Sequence, residues 1–407
     1  MSRPRFVFRF EPANRFSLAA LFGSLEVDGI RGRVDLVVAP SQKASVKALG
    51  AGGQAFLFHS LTSPEAWRFG QELARVREIV ARPFLAVAGG PHVTGDTASV
   101  FDLGYDVAFA GRAERSFARF AREVLGGVVP PAGSVIPEVP DPAWEETLFV
   151  SSVSGFFPVL EIQRGCNVKC SFCQAGRQSG ESARFKSLDA VREFLRRLYA
   201  RGLTRAYFLT PSAFDYRPAG CADSLAGVEA LLAICREEKM RFVEYGIFPS
   251  EIRPAKETAP FFATVKALAS NRRTVIGAQS FSPRILRLAR RGHGVGEIVS
   301  TVKAASDAGF RPYVDVMFGL PGETAEDRRM TCDALEALFF SDGARMQLHH
   351  YVPLAGTPWY HEDPEPLDDA AIRRIVRMEK AGMTRGWWRE GPALARAVAL
   401  VRGALKR

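Results

Sequence analysis

The sequence predicts an α/β chain: a doubly wound parallel-sheet domain, then a partial (β/α)6 barrel, then a helical tail. Three observations carry this. Short, near-continuous apolar runs alternate with helical patterns along the first 125 residues. A proline-rich stretch with Pro130, Pro131, Pro137, Pro140 and Pro142 then breaks the alternation. From Phe157 it resumes, with six further strand-like runs. Near-continuous apolar strands fit a parallel sheet covered on both faces.

In chain order, Arg5–Phe10 reads as a strand. Asn14–Val27 reads as a helix, with Leu18, Leu21, Phe22 and Leu25 on one face. Val34–Ala39 and Ala55–Phe58 are strands. Ser63–Val80 is a helix with Ser63 expected as N-cap and Pro64 at its first position. Phe84–Ala88 and Val107–Ala110 complete a Rossmann-like, flavodoxin-like domain over 1–125. A linker is expected over 126–156. The barrel is expected over 157–362, on strands Val159–Gln163, Arg205–Leu209, Arg241–Ile247, Thr274–Gln279, Tyr313–Phe318 and Arg345–Tyr351. Helix Ser187–Ala200 carries Val191, Phe194, Leu195 and Leu198 on one stripe, closed by Gly202. Residues 363–407 read as two or three helices, with Trp387 and Trp388 packing.

Composition sets limits. Of 407 residues 47% are hydrophobic and 24% charged, ordinary for a soluble globular chain. No membrane span is expected, since no run of eighteen apolar residues occurs. The N-terminus passes into a strand-like run without a signal-peptide core. Few cysteines, three of them in one motif, point to a reducing cytoplasm. The net charge of +10 comes from arginines spread along helices, as at Arg192, Arg196, Arg197 and Arg201. That pattern reads as solvated faces and argues against a nucleic-acid tail.

The chemistry lies in Cys166, Cys170 and Cys173, spaced C-x3-C-x2-C directly after the first barrel strand. Chemistry in such barrels sits at the carboxyl ends of strands. Thiolates suit iron–sulfur clusters and zinc. A structural zinc site wants four ligands. Cys235 and Cys332 lie on apolar helix stripes, and the role of Cys221 is open. Three thiolates on a cubane leave one iron without a protein ligand. The segment resembles the C-x3-C-x-aromatic-C signature of the radical S-adenosylmethionine superfamily. The resemblance implies a 4Fe–4S cluster whose open iron chelates S-adenosylmethionine and cleaves it to a 5'-deoxyadenosyl radical. An external electron donor such as flavodoxin or ferredoxin would follow.

The barrel loops supply candidate S-adenosylmethionine contacts. Phe172 precedes the last cysteine. Thr210 and Ser212 are positional candidates, because the Gly-Gly-Glu-type loop of many superfamily members is missing there. Ser250 suits a ribose hydroxyl and Arg253 a carboxylate, unless Phe248–Arg253 is only a capping turn. Gln279, Arg290-Arg-Gly-His293 and Phe318-Gly-Leu-Pro-Gly-Glu-Thr324 resemble coproporphyrinogen-dehydrogenase-like and methylthiotransferase-like radical enzymes. In these Gly319 and Gly322 would approach adenine.

The first domain adds a second expectation. Ala88-Gly-Gly-Pro-His92 resembles a loop of cobalamin-binding domains in cobalamin-dependent radical S-adenosylmethionine enzymes. Gly111-Arg-Ala-Glu-Arg-Ser-Phe117 resembles their Gly-Glu-Gly-Glu-x-x-Phe segment, with Arg112 and Ala113 as departures. The resemblance implies cobalamin contacts at Asn14, Ser60, Leu61, Thr62, Gly89, Gly90, Pro91, His92, Gly111 and Glu114. His92 is not assigned as a cobalt ligand, because Gly90 stands where the D-x-H-x-x-G signature needs aspartate. The implied activity is cobalamin-dependent methyl transfer to an unactivated carbon of a small-molecule or peptide substrate. The alternatives are an RNA-modifying, methylthiotransferase-like enzyme and a cobalamin-free or non-catalytic iron–sulfur redox protein.

Overall fold

The computed structural model describes residues 3–153, 155–156, 159–177 and 182–404; the expected barrel start at Phe157 lies outside them. The chain divides into two compact units. Unit 1 comprises residues 1–158, 353–361 and 394–407, and unit 2 comprises 159–352 and 362–393.

Unit 1 is a six-stranded parallel sheet. Its strands are β1 (Arg5–Arg9), β2 (Asp35–Ala39), β3 (Ala55–Ser60), β4 (Leu85–Gly89), β5 (Val107–Ala110) and β6 (Ser134–Pro137), in the order β2-β1-β3-β4-β5-β6. Helices α1 (Arg15–Val27), α2 (Gln42–Gly50), α3 (Ser63–Ile79), α4 (Pro91–Gly95), α5 (Thr97–Asp102) and α6 (Glu114–Leu125) connect them. The strand order reverses between β1 and β3, and doubly wound sheets bind ligands in the crevice at such a reversal. One face is an aromatic core, in which Phe8 and Phe58 stack at 4.6 Å and Phe6, Phe56, Phe117 and Phe120 meet edge-on or tilted. Burial of each such ring contributes ~1.5–3 kcal/mol.

Two sequence expectations change here. The linker over 126–156 contains strand β6, and Pro137 is tolerated because β6 is an edge strand. Ser63 is not the cap of α3: the extended Thr62 is, with its hydroxyl donated to Glu65. Ser63 Oγ instead accepts from Ala355 N at 2.9 Å and lies 3.1 Å from His92 Nδ1.

Unit 2 is the open barrel. Strands β7 (Leu160–Glu161), β10 (Arg205–Leu209) and β11 (Phe242–Glu244) pair in parallel, after the short antiparallel pair β8 (Gln163–Arg164) and β9 (Arg184–Phe185). Strands β12 (Arg273–Gln279), β13 (Arg311–Phe318), β14 (Arg345–His350) and β15 (Thr384–Gly386) continue in parallel. A bridge between Ile252 and Ile276 joins the two sheets. The helices are α7 (Leu188–Tyr199), α8 (Ser224–Glu237), α9 (Ala259–Leu268), α10 (Pro283–Leu288), α11 (Val295–Asp307), α12 (Ala325–Asp342) and α13 (Asp369–Lys380). The six expected strands all form. The tail holds a further one, β15, before the last helix, α14 (Gly391–Ala404). Three residues are too short a run to show a period of two. Trp388 is buried and donates to Glu379, while Trp387 is 41% exposed.

Candidate active site in the barrel and cofactor crevice

The three-cysteine loop is held by the segment after β12. Ser171 N donates to Ala289 O at 3.0 Å, and Ser171 Oγ donates to Leu288 O at 3.1 Å. Arg291, itself buried, donates from Nη1 to Cys170 Sγ at 3.2 Å and from Nη2 to Gly277 O at 2.5 Å. Its guanidinium also lies 5.6 Å from the centre of the Phe172 ring. The Arg-Arg-Gly-His motif thus clasps the loop through Arg291, a role the sequence reading missed. His293 has neither ring nitrogen bonded, and burial pushes its pKa down to about 4.

The thiol of Cys173 is pushed up, first by burial and then by the neighbouring charges of Cys170 and Cys166. Among the described residues no three His, Cys, Asp or Glu side chains are set to hold a single metal ion. A cubane's thiolates each take a different iron and stand further apart than ligands of one ion. The donor set fits a cluster with one open iron and not tetrahedral zinc. Cys235 and Cys332 are buried on α8 and α12, their thiols pushed up to about 12 by burial.

The candidate S-adenosylmethionine contacts occupy carboxyl ends of neighbouring strands, in differing states. Thr210 Oγ1 is committed to Gln163 at 2.7 Å, while the buried hydroxyl of Ser212 has no partner. Ser250 Oγ donates to Ile247 O at 3.0 Å, as the turn reading expects. Arg253 pairs with Asp215 through Nη2 at 3.1 Å and keeps a buried, unpartnered Nε. Gln279 ends β12 at a bulge, with a left-handed φ of 71°. Gly319 follows β13 at φ 73°; a Cβ there would stand 2.8 Å from His350 Nε2. Sequence signals placed these residues at one end of the barrel but could not say which hydroxyls the fold consumes.

Deeper in the barrel are polar residues the sequence reading did not single out. Asp315 on β13 accepts from His349 Nε2 on β14 at 2.8 Å. Glu251, beside the bridging Ile252, is pushed up to about 7, first by burial and then by the charge of Asp315. For Asp315 and His349 the signal is a carboxylate or imidazole inside a strand; Glu251 lies in the loop after β11.

In unit 1 the expected cobalamin loops all sit at carboxyl ends of strands. Gly90 has φ 99°, and a Cβ on it would stand 2.9 Å from Leu61 O, so the β3 and β4 loops meet only around glycine. Gly89 O accepts from Leu61 N at 2.8 Å. Asn14 is spent on its own turn, with Nδ2 donating to Arg9 O at 2.9 Å. Ser60 ends β3 and Pro91 opens α4. Gly111 N donates to Thr94 Oγ1 at 3.1 Å, and Glu114 opens α6. His92 is fully buried, with Nδ1 on Ser63 and Nε2 3.0 Å from Ser99 Oγ. Both ring nitrogens are thus engaged by serine hydroxyls.

Fold and site together define an α/β protein of two units, one a doubly wound domain and the other an open barrel with a thiolate loop at its mouth. Residues 160–335 match the family model described as the radical SAM superfamily, so that stretch carries a radical SAM domain. It is 30% identical to a tRNA-2-methylthio-N(6)-dimethylallyladenosine synthase of Chlorobium luteolum, over 55% of this chain and 48% of the relative. It is 23% identical to the threonylcarbamoyladenosine tRNA methylthiotransferase MtaB of Treponema pallidum, over 54% and 44%. The chain spans about half the length of the curated relatives it matches. Among solved structures its fold is similar to the radical S-adenosylmethionine methyltransferase TsrM from Kitasatospora setae, with cobalamin and a 4Fe–4S cluster bound. The TM-score is 0.68 at 14% identity, covering 99% of this chain and 100% of that one. The cobalamin-dependent enzyme OxsB with aqua-cobalamin bound gives a TM-score of 0.62 at 12% identity, covering 99% and 62%. No described helix is long and apolar enough to cross a membrane.

Proposed function

We propose that the protein is a cobalamin-dependent radical S-adenosylmethionine methyltransferase acting on an unactivated carbon of a small-molecule or peptide substrate. The observation that carries the reading is the three-thiol loop clasped by Arg291, in a chain that also has a doubly wound domain of flavodoxin-like strand order. Cys166, Cys170 and Cys173 would hold the cluster. Ser212, the Nε of Arg253, Gln279 and the backbone at Gly319 are the barrel groups best placed for S-adenosylmethionine. Thr210, Ser250 and Phe172 position their neighbours. In unit 1 the backbones of Leu61, Thr62, Gly89, Gly90 and Gly111 would line the corrin. His92 would brace that loop from behind. When bound, the cluster and S-adenosylmethionine supply a hydrogen-abstracting radical and cobalamin supplies the methyl group. A reducing cytoplasm and an external one-electron donor belong to this reading.

The test is anaerobic purification with cobalamin supplied, followed by iron, sulfide and cobalt analysis and visible spectra. Iron and cobalt both near stoichiometric are expected. Full iron without cobalt would overturn the cobalamin half. Incubation with S-adenosylmethionine and reductant should yield 5'-deoxyadenosine or methionine; neither product would leave a redox protein. A second reading, modification of RNA, has one specific support: the curated relatives named above are tRNA-modifying enzymes. RNA binding that weakens steeply with salt would favour it.

A further inference from the structure

We propose that the barrel of unit 2 carries an anion-binding groove at the amino ends of its strands, built for a non-aromatic oligophosphate. The groove opens at the other end of the strands from the candidate S-adenosylmethionine contacts, and the inference stands apart from the radical reading.

The sheet of the barrel is split between β11 and β12, which are not paired as strands. The segment before β12 enters the split. Ser270 N donates to Val243 O at 2.8 Å, and Asn271 Nδ2 donates to Tyr245 O at 3.1 Å. A groove of about 870 Å³ is left at the amino ends of β11, β12 and β13. A concavity of that size suits a small molecule. Arg272, Arg273 and Arg311 line it, against one carboxyl, Glu244.

The arginines are crowded. Arg273 is in register with Arg311 on the neighbouring parallel strand, and Arg311 N donates to Arg272 O at 3.0 Å. Like charges side by side on neighbouring strands oppose pairing. All three arginines are exposed, and among the described residues no carboxylate pairs with any of them. Exposed arginines on the helices are answered instead, Arg197 by Glu193 and Arg329 by Glu326 and Asp333. The rings of the groove add to its charge. Arg205 lies 4.4 Å over Phe242, Lys266 5.0 Å over Phe310 and Arg385 4.1 Å over Tyr313. Three cations in the lining and three over its rings thus stand against one carboxyl.

The ligand class follows from this chemistry. A guanidinium fork matches phosphate oxygens two at a time. Rings already engaged by cations favour a ligand without a base to stack. Neighbouring strands stand ~4.8 Å apart, whereas carboxylates on one face of an extended acidic peptide recur every ~7 Å. Joined phosphates carry their charges on adjoining groups and fit the closer spacing.

The test uses the full chain, purified anaerobically with its cluster. Sodium tripolyphosphate is titrated calorimetrically in magnesium-free buffer, with a hexaglutamate peptide in a parallel arm. Saturable one-to-one binding of tripolyphosphate is expected, weakened about tenfold or more in Arg273→Gln and in Arg311→Gln. Arg197→Gln, which removes an exposed charge on α7 outside the groove, should bind as the wild type does. Any heat from chelation of cluster iron would be common to all the variants and so separates from the groove. Absence of saturation, wild-type binding in both groove variants, or equal weakening in Arg197→Gln overturns the site. Tighter binding of hexaglutamate than of tripolyphosphate overturns the oligophosphate and puts an acidic peptide in its place.

Discussion

Arg291 Nη1 donates to Cys170 Sγ at 3.2 Å, and Nη2 of the same guanidinium holds the carbonyl of Gly277. One buried cation therefore ties the three-thiol loop to the fourth main strand of the barrel. A donor to a ligating sulfur spreads the thiolate charge and raises a cluster's reduction potential. Arg291→Met should keep all three thiols, yet shift the cluster to lower potential and cut S-adenosylmethionine cleavage by about 10–100-fold. Redox titration followed by electron paramagnetic resonance checks this. An unchanged potential would reduce Arg291 to a packing role.

Each thiol should be needed. Cys166→Ala, Cys170→Ala and Cys173→Ala should each purify folded but lose most of the iron and sulfide, because the described residues hold no other cysteine in the loop. Cys235→Ala and Cys332→Ala should keep the cluster, since both thiols are buried on helices. A cluster of wild-type iron content in Cys170→Ala would remove that residue from the ligand set.

Much of this was legible in the sequence for definite reasons. The strand–helix alternation is a burial pattern, so the sheet of unit 1 and six barrel strands could be read from apolar runs. The thiolate loop is a local motif whose spacing carries its chemistry. Arg291, Glu251, Asp315 and His349 act through contacts between distant parts of the chain, and nothing in their neighbourhoods announces the partner. The capping role expected of Ser63 failed for a similar reason: Ala355 and His92, from elsewhere in unit 1, claim its hydroxyl. Strand β15 is only three residues long, and its pairing with β14 alone makes it a strand.

Gly95 closes α4 against the segment 353–361. A Cβ there would fall within the backbone of Ala355 and stand 2.6 Å from Gly356 N. The contact is backbone on both sides, so no rotamer change relieves it. Tyr360 Oη adds a 2.8 Å bond to Asp96 in the same seam. Gly95→Ala should destabilise unit 1 by ~1–3 kcal/mol and expose 353–361 to protease. Thermal unfolding with mapping of the first cleavage sites measures both. Wild-type stability and protection would show that the seam yields freely.

His59 makes the stability of unit 1 depend on pH. It is fully buried on β3, with Nδ1 2.6 Å from Tyr105 Oη and Nε2 unpartnered. Burial, then the charges of Arg9 and Arg68, push its pKa from 6.5 down to about 3. The folded histidine therefore stays neutral where the unfolded one takes a proton. Its contribution is intact above about 6.5 and is lost progressively as pH falls towards about 3. The slope is ~1.4 kcal/mol per pH unit for one proton. His92, also lowered by burial, acts with the same sign. His59→Gln keeps an acceptor for Tyr105 and removes the titration. Urea midpoints measured from about pH 7 down to about pH 5 should fall less steeply in the variant than in the wild type. Parallel curves would mean that His59 takes up its proton without unfolding its surroundings.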